Sequence, residues 1–331
     1  MVGAEGLRPA AGTPVDRLME LTHALRVELL ARGEFLPSPW VEEAGRDLAS
    51  GALPGWCALY GDRLVGLAFY SLRDQRAYGH VHMEESPDRL PAAARLVRHL
   101  VDELPLDVTR LDVGTTGLPS DEERRLRDEV RSDPSMSVLV RWLVERPLTQ
   151  DDGPLPRALE GVELRALRKI PIDALTNLDM RAFQGSADES LVSDSFEGDR
   201  RVLKQILDGL LGRFLDEAST AALTTEGALI GAVLAGEQSP RTAIILDLMV
   251  EPSHRRTGLA TFLLRWALRA LWALGFTGVR LWVTENNDPA RRLYEKLGFH
   301  PTTSMSIYRW TRPASSDRSV PPSAGPETKS S

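Results

Sequence analysis

The stretch VEPSHRRTGLA, residues 250–260, decides the fold of the second half of this 331-residue chain. It leaves an apolar run at a proline, places Arg255 beside Arg256, reaches Gly258 and opens a long helix with apolar residues at helical spacing. A strand that turns through glycine into a helix leaves backbone N–H groups unpaired at the positive end of the helix dipole. The stretch therefore predicts an anion site that suits phosphate or pyrophosphate.

Each residue type in this anion turn has a physical use. Gly258 lets the backbone approach an anion without a Cβ in the way, and Ala260 keeps the first helical turn slim. The two arginines can add charge-assisted hydrogen bonds. The spacing fits neither the Walker loop nor the dinucleotide-binding fingerprint. The alternative interpretation is a solvated helix start that carries two surface arginines.

A second motif follows one helix and one strand later, in NNDPARRLYEKLGF (residues 286–299). Together, RRTGLA and this motif resemble the GNAT acyltransferase superfamily, in which Arg/Gln-x-x-Gly-x-Gly/Ala holds the pyrophosphate of acetyl-coenzyme A. The second motif matches the family pattern at five positions: Asn287, Ala290, Tyr294, Gly298 and Phe299. The resemblance covers roughly residues 160–310.

The resemblance implies an α/β (α+β) chain of two GNAT-like domains, each a mixed, mainly antiparallel twisted sheet flanked by helices. It implies acetyl-CoA as co-substrate, held where the fourth and fifth strands of the domain part, and it requires no metal. The residues expected to bind the coenzyme are Leu248, Met249, Val250, Arg255, Arg256, Thr257, Gly258, Leu259, Ala260 and Asn287.

Two side chains are the expected catalytic groups. By its position in the second motif, Tyr294 matches the family's general acid. A phenol is protonated at neutral pH and can protonate a departing thiolate. The alternative is an aromatic core residue. Asp247 interrupts the apolar strand IILDLMV, where a carboxylate needs a reason, and could take the proton of an amine. The alternative is a hydrogen-bonded structural aspartate. Glu251 and Glu285 lie at strand ends and are expected to be solvated.

Composition excludes several classes of protein. The net charge of -7 does not favour nucleic acid or an anionic membrane, and no apolar run is long enough to span a bilayer. Because Cys57 is the only cysteine, an intramolecular disulfide is excluded and Cys57 is expected to be a core residue. His80 and His82 alternate on a strand, without evident further metal ligands. We expect a cytoplasmic monomer or homodimer.

The order of elements before residue 147 parallels the order after 157, which indicates a duplicated unit of about 150 residues. We predict disorder at 1–13, a degenerate GNAT-like domain at 14–146, a linker at 147–157, a catalytic GNAT domain at 158–311 and a disordered tail at 312–331. The layout is similar to that of mycothiol synthases. In the first copy, EESPD (84–88) replaces the arginines and glycine of the anion turn, and no tyrosine occupies helix 120–130. We therefore expect one coenzyme site per chain, with the first half closing a wall of the acceptor cleft.

The expected activity is acetyl transfer from acetyl-CoA to a primary amine, by direct attack in a ternary complex. The acceptor is a small molecule or a peptide. Five acids within residues 185–199 would favour a cationic amine, although this segment could also be an ordinary solvated loop. The alternatives are a mycothiol-synthase-like acetylation of a cysteinyl pseudo-disaccharide, an acyl group other than acetyl, and a non-catalytic acyl-CoA-binding regulator.

Overall fold

The computed structural model describes residues 6–32, 38–73, 75–152, 159–191, 195–210 and 212–313. Within them, a single mixed sheet of twelve strands runs through both halves of the chain. The helices pack on its faces and bury separate apolar clusters for the first and second halves. The predicted class of fold, with a mainly antiparallel sheet and flanking helices, is confirmed.

The first half contributes ten of the described elements. They are β1 (Leu7–Pro9), α1 (Val15–Ala31), α2 (Ser38–Ser50), β2 (Gly55–Tyr60), β3 (Arg63–Arg73), β4 (Arg76–Met83), α3 (Arg89–Asp102), β5 (Arg110–Thr116), α4 (Ser120–Val130) and β6 (Met136–Pro147).

The second half contributes another ten, in a parallel order. They are β7 (Val162–Ala166), α5 (Ile172–Phe183), α6 (Phe196–Leu207), β8 (Thr220–Thr224), β9 (Leu229–Ser239), β10 (Thr242–Val250), α7 (Leu259–Ala273), β11 (Gly278–Thr284), α8 (Asp288–Lys296) and β12 (His300–Thr311).

The last strands of the two halves are exchanged. The strand order is β1-β2-β3-β4-β5-β12-β6-β11-β10-β9-β8-β7, so β12 lies between β5 and β6, and β6 lies beside β11. Ile307 of β12 pairs with Gly114 of β5, and Arg141 of β6 pairs with Thr284 of β11. The predicted domains follow the order of the chain, whereas each sheet half is completed by a strand from the other half.

The expectation of disorder at 1–13 is wrong for residues 6–13. Leu7–Pro9 forms a strand against β2, and Ala10 is fully buried, because its amide bonds to the carbonyl of Gly55 and its side chain joins the apolar cluster under α1. Residues 1–5 lie outside the described residues. At the other end, Arg312 is held by the carbonyls of Pro105 and Val108, and residues 314–331 lie outside the described part.

The predicted linker is partly structured. Pro147 still belongs to β6, and Gln150–Asp152 forms a single 3-10 turn in which Asp152 accepts hydrogen bonds from Arg146 and from the amide of Thr149. Residues 153–158 are not among those described.

The two halves differ most at their parallel strand pair. In the first half, β4 and β5 pair continuously over seven positions, from Arg76↔Arg110 to His82↔Thr116. In the second half, β10 and β11 pair only from Thr242↔Gly278 to Ile244↔Arg280. Both strands continue well beyond this point, so the sheet of the second half opens between them.

Candidate functional site

The opening between β10 and β11 begins at a β-bulge. The register of β10 against β9 shifts between Ile245 and Asp247, so Leu246 is the extra residue. A bulge bends its strand and increases the local twist. Here it directs the end of β10 away from β11 and re-aims Asp247.

The free edge of β10 faces this opening. The amide of Glu251 bonds to Ile230 of β9, and successive residues of a strand direct their backbone groups to alternate sides. The N–H and C=O groups of Leu248 and Val250 therefore point towards the opening. Met249 lies two residues before Glu251, so its backbone groups face β9 instead. Of the three predicted contacts on this strand, the structure places two along the opening.

The anion turn follows directly after β10. Arg256 and Gly258 both have positive φ angles, 65° and 93°, and Gly258 is the N-cap of α7 without a side-chain hydrogen bond. The amide of Phe262 is the first to bond back, to Gly258. Within the described residues, the amides of 256–261 have no acceptor, and residues 255–258 are exposed. A Cβ at Gly258 would meet nothing within 4 Å, so the turn is open to a ligand.

The two arginines of the turn differ in their contacts. Arg255 donates to the carbonyl of Ala182 at 2.6 Å, which ties the turn to the last turn of α5. Arg256 has no hydrogen-bond or ion-pair partner in the part of the chain that the structure describes. Thr257 donates to the carbonyl of His254 and so shapes the loop. Residues 255–258 are exposed, as both the predicted anion site and the alternative of a solvated helix start require.

Tyr294 is fixed by both ends of α8. At the start, Asn287 caps the helix by accepting from the amide of Ala290 at 3.2 Å. At the end, Gly298 has a φ of 81°, and the amide of Phe299 bonds back to the carbonyl of Tyr294. Phe299 is 1% exposed, and its ring lies edge-on to that of Tyr294 with centroids 5.9 Å apart.

The environment of Tyr294 keeps its hydroxyl protonated. Burial raises the pKa of this phenol well above its ordinary value, the negative charges of Asp188 and Asp247 raise it further, and the cation of Arg141 opposes them. Within the described residues, no protein group bonds to the hydroxyl. The hydroxyl of Tyr294 is therefore protonated at neutral pH and can donate its proton to a bound ligand.

Asp247 belongs to a chain of three carboxyl groups. Burial raises the pKa of Asp247 to about 7, the carboxyls of Asp199 and Asp188 raise it, and hydrogen bonds from the amide of Leu248 and from Asp179 oppose them. Asp179 on α5 lies within hydrogen-bonding reach of both Asp247 and Asp199 on α6. Burial, followed by the neighbouring charges, raises the pKa of Asp179, which therefore carries a proton at neutral pH.

The sequence did not single out Asp179, and Asp199 was included only among the five acids of residues 185–199, although a signal for both was present. Asp179 follows Leu175 and Leu178 on the apolar stripe of α5, and Asp199 precedes Leu203 and Ile206 at helical spacing. An acid inside an apolar stripe needs a buried partner.

Asp188 links the acidic segment to the site. Its carboxylate accepts from the hydroxyl of Thr284 at the end of β11 and from the side-chain amide (Nδ2) of Asn287 at 2.5 Å. Asn287, predicted to bind the coenzyme, is thus engaged in capping α8 and in holding Asp188. Residues 192–194 of the acidic segment lie outside the described residues.

The first half also reaches the site, through the exchanged strand. Arg141 of β6 is close enough to Tyr294 to lower the pKa of the phenol, and the adjacent Trp142 donates to Glu285 at 3.3 Å. Glu285 is exposed, as expected, while Glu251 pairs with Arg181 of α5. The first half therefore reaches this region through a strand of the shared sheet.

Comparison with known proteins agrees with this geometry. Residues 172–299 match the model of the Acetyltransferase (GNAT) family. This part of the chain is a GNAT acetyltransferase domain. A mycothiol acetyltransferase of Thermobispora bispora is 31% identical over 169 residues, which are 51% of this chain and 56% of that relative. The matched part thus spans little more than half the length of that relative.

Two solved structures share the fold over nearly their whole length. A GCN5-related N-acetyltransferase from Sphaerobacter thermophilus aligns with a TM-score of 0.61 at 18% identity, covering 95% of this chain and 98% of that one. A tandem GNAT protein from the clavulanic acid biosynthesis pathway aligns with a TM-score of 0.55 at 19% identity, covering 94% and 99%. At such identities the likeness concerns the fold, which includes the tandem arrangement.

The first half lacks the features that open the GNAT domain. Its β4–β5 pair is closed, and Glu84, which follows β4, is paired with Arg17 at 2.6 Å and with Arg63 at 3.5 Å. Helix α4 carries no tyrosine. These contacts support the prediction of a single coenzyme site, which a binding measurement would test directly.

The remaining sequence candidates lie away from the opening. Cys57 is fully buried, as expected. Burial lowers the pKa of His80 to about 4, and His82 hydrogen-bonds to Thr116 through Nδ1 at 2.9 Å.

Among the described residues, no group of three or more His, Cys, Asp or Glu side chains could hold a metal ion. No helix within the described ranges is both long and apolar enough to cross a membrane.

Proposed function

We propose that this chain is an acetyl-CoA-dependent N-acetyltransferase, with its active site in the second half and a primary amine as acceptor. One observation carries the proposal: the opening between β10 and β11 leads from a turn of unpaired amides to an unengaged tyrosine hydroxyl. That arrangement suits a long thioester whose diphosphate and acyl ends lie at opposite ends of the opening.

The residues of the opening fit coenzyme A. The unpaired amides of 256–261, the helix dipole and Arg256 supply donors and positive charge for a diphosphate. The carbonyl of Leu248 and the backbone groups of Val250 lie on the free edge of β10 and can pair with the amides of a pantetheine arm, as a missing strand would. An amide on this edge can also donate to the thioester oxygen as negative charge develops there.

Two side chains can manage the protons of the transfer. An amine must lose a proton to form an amide, and Asp247, whose pKa lies near 7, is matched to accept it at neutral pH. The departing thiolate gains a proton, which the protonated hydroxyl of Tyr294 can supply. With Asp247 as base and Tyr294 as acid, the amine can attack the thioester directly and no protein nucleophile is needed.

The charge of the site favours a cationic acceptor. Asp188 and Asp247 lie near Tyr294 at the end of the opening, and Arg141 is the nearby cation. The relative named as a mycothiol acetyltransferase makes a cysteinyl amine a specific candidate for the acceptor. A regulator that only binds acyl-CoA would have no use for a protonated tyrosine beside a carboxyl of near-neutral pKa.

The test combines binding with turnover. The full chain is titrated calorimetrically with acetyl-CoA, and release of free coenzyme A is followed by chromatography with cysteine methyl ester, 1,4-diaminobutane and glucosamine. Chromatography is needed because a cysteinyl acceptor carries its own thiol. Amine-dependent release supports the proposal, binding without release from any amine supports the regulator, and absence of binding at millimolar acetyl-CoA refutes both.

A further inference from the structure

We propose that Asp179 and Asp199 form, with Asp247, a relay that carries the proton lost by the acceptor amine from the reaction centre into α6. The inference rests on the proposed acetyl transfer and assigns roles to two residues outside the GNAT motifs. Asp247 is the group that meets the amine, while Asp179 and Asp199 act through it.

The geometry is a line of carboxyl groups from three different elements. Asp247 comes from β10, Asp179 from α5 and Asp199 from α6, and the side chain of Asp179 reaches both of the others. Asp179 is 4% exposed and Asp199 is 3% exposed. Within the described residues, Oδ1 of Asp179 and Oδ2 of Asp199 are buried and have no hydrogen-bond donor.

Such a line must share protons. Two like charges about 4 Å apart repel by about 4 kcal/mol at an effective dielectric constant of about 20, so three buried carboxylates do not all stay ionised. A proton on the central Asp179 lets it donate to one neighbour while accepting from the other. The remaining charged groups that face the line are Asp188 from the α5–α6 connection, Tyr294 from α8 and Arg141 from β6.

The proton steps balance without any other reactant. Asp247 takes one proton from the amine nitrogen, Asp179 passes its own proton to Asp199, and Asp247 then returns a proton to the vacated oxygen of Asp179. Asp199 is left protonated and passes that proton to a water at the small exposed part of its side chain, which restores the starting state. The acyl carbon exchanges its bond to sulfur for a bond to nitrogen, and the sulfur is protonated separately by Tyr294.

Packing alone does not account for this line. Burying charged groups is costly, and apolar residues of similar volume are often as stabilising or more so. Several carboxyls with unsatisfied buried oxygens are therefore a stability cost that a role in proton transfer would explain.

The test uses Asp179→Asn, Asp199→Asn and the double variant, because asparagine keeps the shape of aspartate but cannot pass a proton. Single-turnover acetylation of 1,4-diaminobutane, or of whichever of the three named amines reacts fastest, is measured from pH 5 to 9. We expect each single variant to lower the plateau rate 10- to 100-fold, with unchanged affinity for acetyl-CoA. The double variant should be no slower than the slower single one, because either substitution alone already interrupts proton transfer through the relay.

The pH profile separates a relay from simple charge tuning. The carboxyl of Asp199 raises the pKa of Asp247, so Asp199→Asn should also move the acidic limb of the profile to lower pH. If the limb moves while the plateau rate stays at the wild-type value, Asp199 only tunes charge and the relay is refuted. Losses that multiply in the double variant would refute it as well.

Controls keep this result distinct from failure of the proposed function. Asp208→Asn, in the exposed pair with Lys204 at the end of α6, should leave the plateau unchanged. If the wild-type chain acetylates none of the three amines, the proposed function itself fails. If one single variant does not fold, as judged by thermal melting, the other still tests the plateau and the limb.

Discussion

Replacing Tyr294 by phenylalanine should have a small effect on stability and a large effect on turnover, so the substitution separates the two. The hydroxyl has no protein partner in the described residues, so its removal orphans no buried donor or acceptor. The edge-on contact of the ring with Phe299 is kept. We therefore expect the free energy of unfolding to change by less than about 0.5 kcal/mol.

Turnover should respond far more strongly. General acid catalysis typically contributes about 10²- to 10⁴-fold, which corresponds to about 2.7 to 5.4 kcal/mol in the barrier. Because the pKa of Tyr294 is raised above its ordinary value near 10, the wild-type enzyme should not lose rate through this group anywhere below pH 10. Loss of rate in Tyr294→Phe should accordingly be the same at pH 7 and pH 9.

The assay is release of coenzyme A at saturating acceptor, beside calorimetric binding of acetyl-CoA and thermal melting. Tyr308→Phe is a matched control, since Tyr308 is also buried and also has a raised pKa, but lies in the first half's core. A Tyr294→Phe enzyme with wild-type turnover would remove this residue from the mechanism.

Further predictions address the coenzyme site, the base and the buried carboxyl groups. Gly258→Ala should weaken acetyl-CoA binding at least 10-fold, whereas Gly275→Ala, with a similar φ of 87° and equally open space at the other end of α7, should not; equal losses would mean that backbone strain alone is responsible. Asp247→Asn should lower turnover and abolish the rise in rate through about pH 7; a retained rise would assign that limb to another group. Calorimetry should give one coenzyme site per chain, and two would contradict the closed β4–β5 pair. Asp179→Asn should melt above wild type at pH 8 but not at pH 4, because a pKa raised on folding gives stability that is present at low pH and lost as pH rises; a lower melting temperature at pH 8 would contradict this sign.

Local patterns predicted most of the elements and the anion turn. Helix α7, helix α8 and strand β10 follow from apolar spacing, glycine placement and capping residues, all of which act within a few residues of sequence. The strand Leu7–Pro9 escaped prediction because it is only three residues long and depends on an edge supplied by β2. Such short strands carry no period of their own.

Local sequence patterns do not predict the line of three carboxyl groups or the strand exchange, because each depends on partners far apart in sequence. Asp179, Asp199 and Asp247 are separated by 20 and 48 positions, and only the packing of α5 and α6 on β10 brings them together. Strands β6 and β12 are both twelve residues long, and neither carries a local signal that assigns it to β5 or to β11. The choice between them is made by tertiary packing.

The strand exchange makes the second half depend on the first, although the first half lacks the open anion turn. Tyr308 and Trp310 of β12 are buried in the apolar cluster of the first half, while Val144 of β6 is buried in that of the second. Because β6 also covers the edge of β11 and brings Arg141 beside Tyr294, removing the first half would expose that edge and alter the charge at the proposed acid. The first copy can therefore lose its own opening without being lost from the chain, since the second copy depends on its last strand.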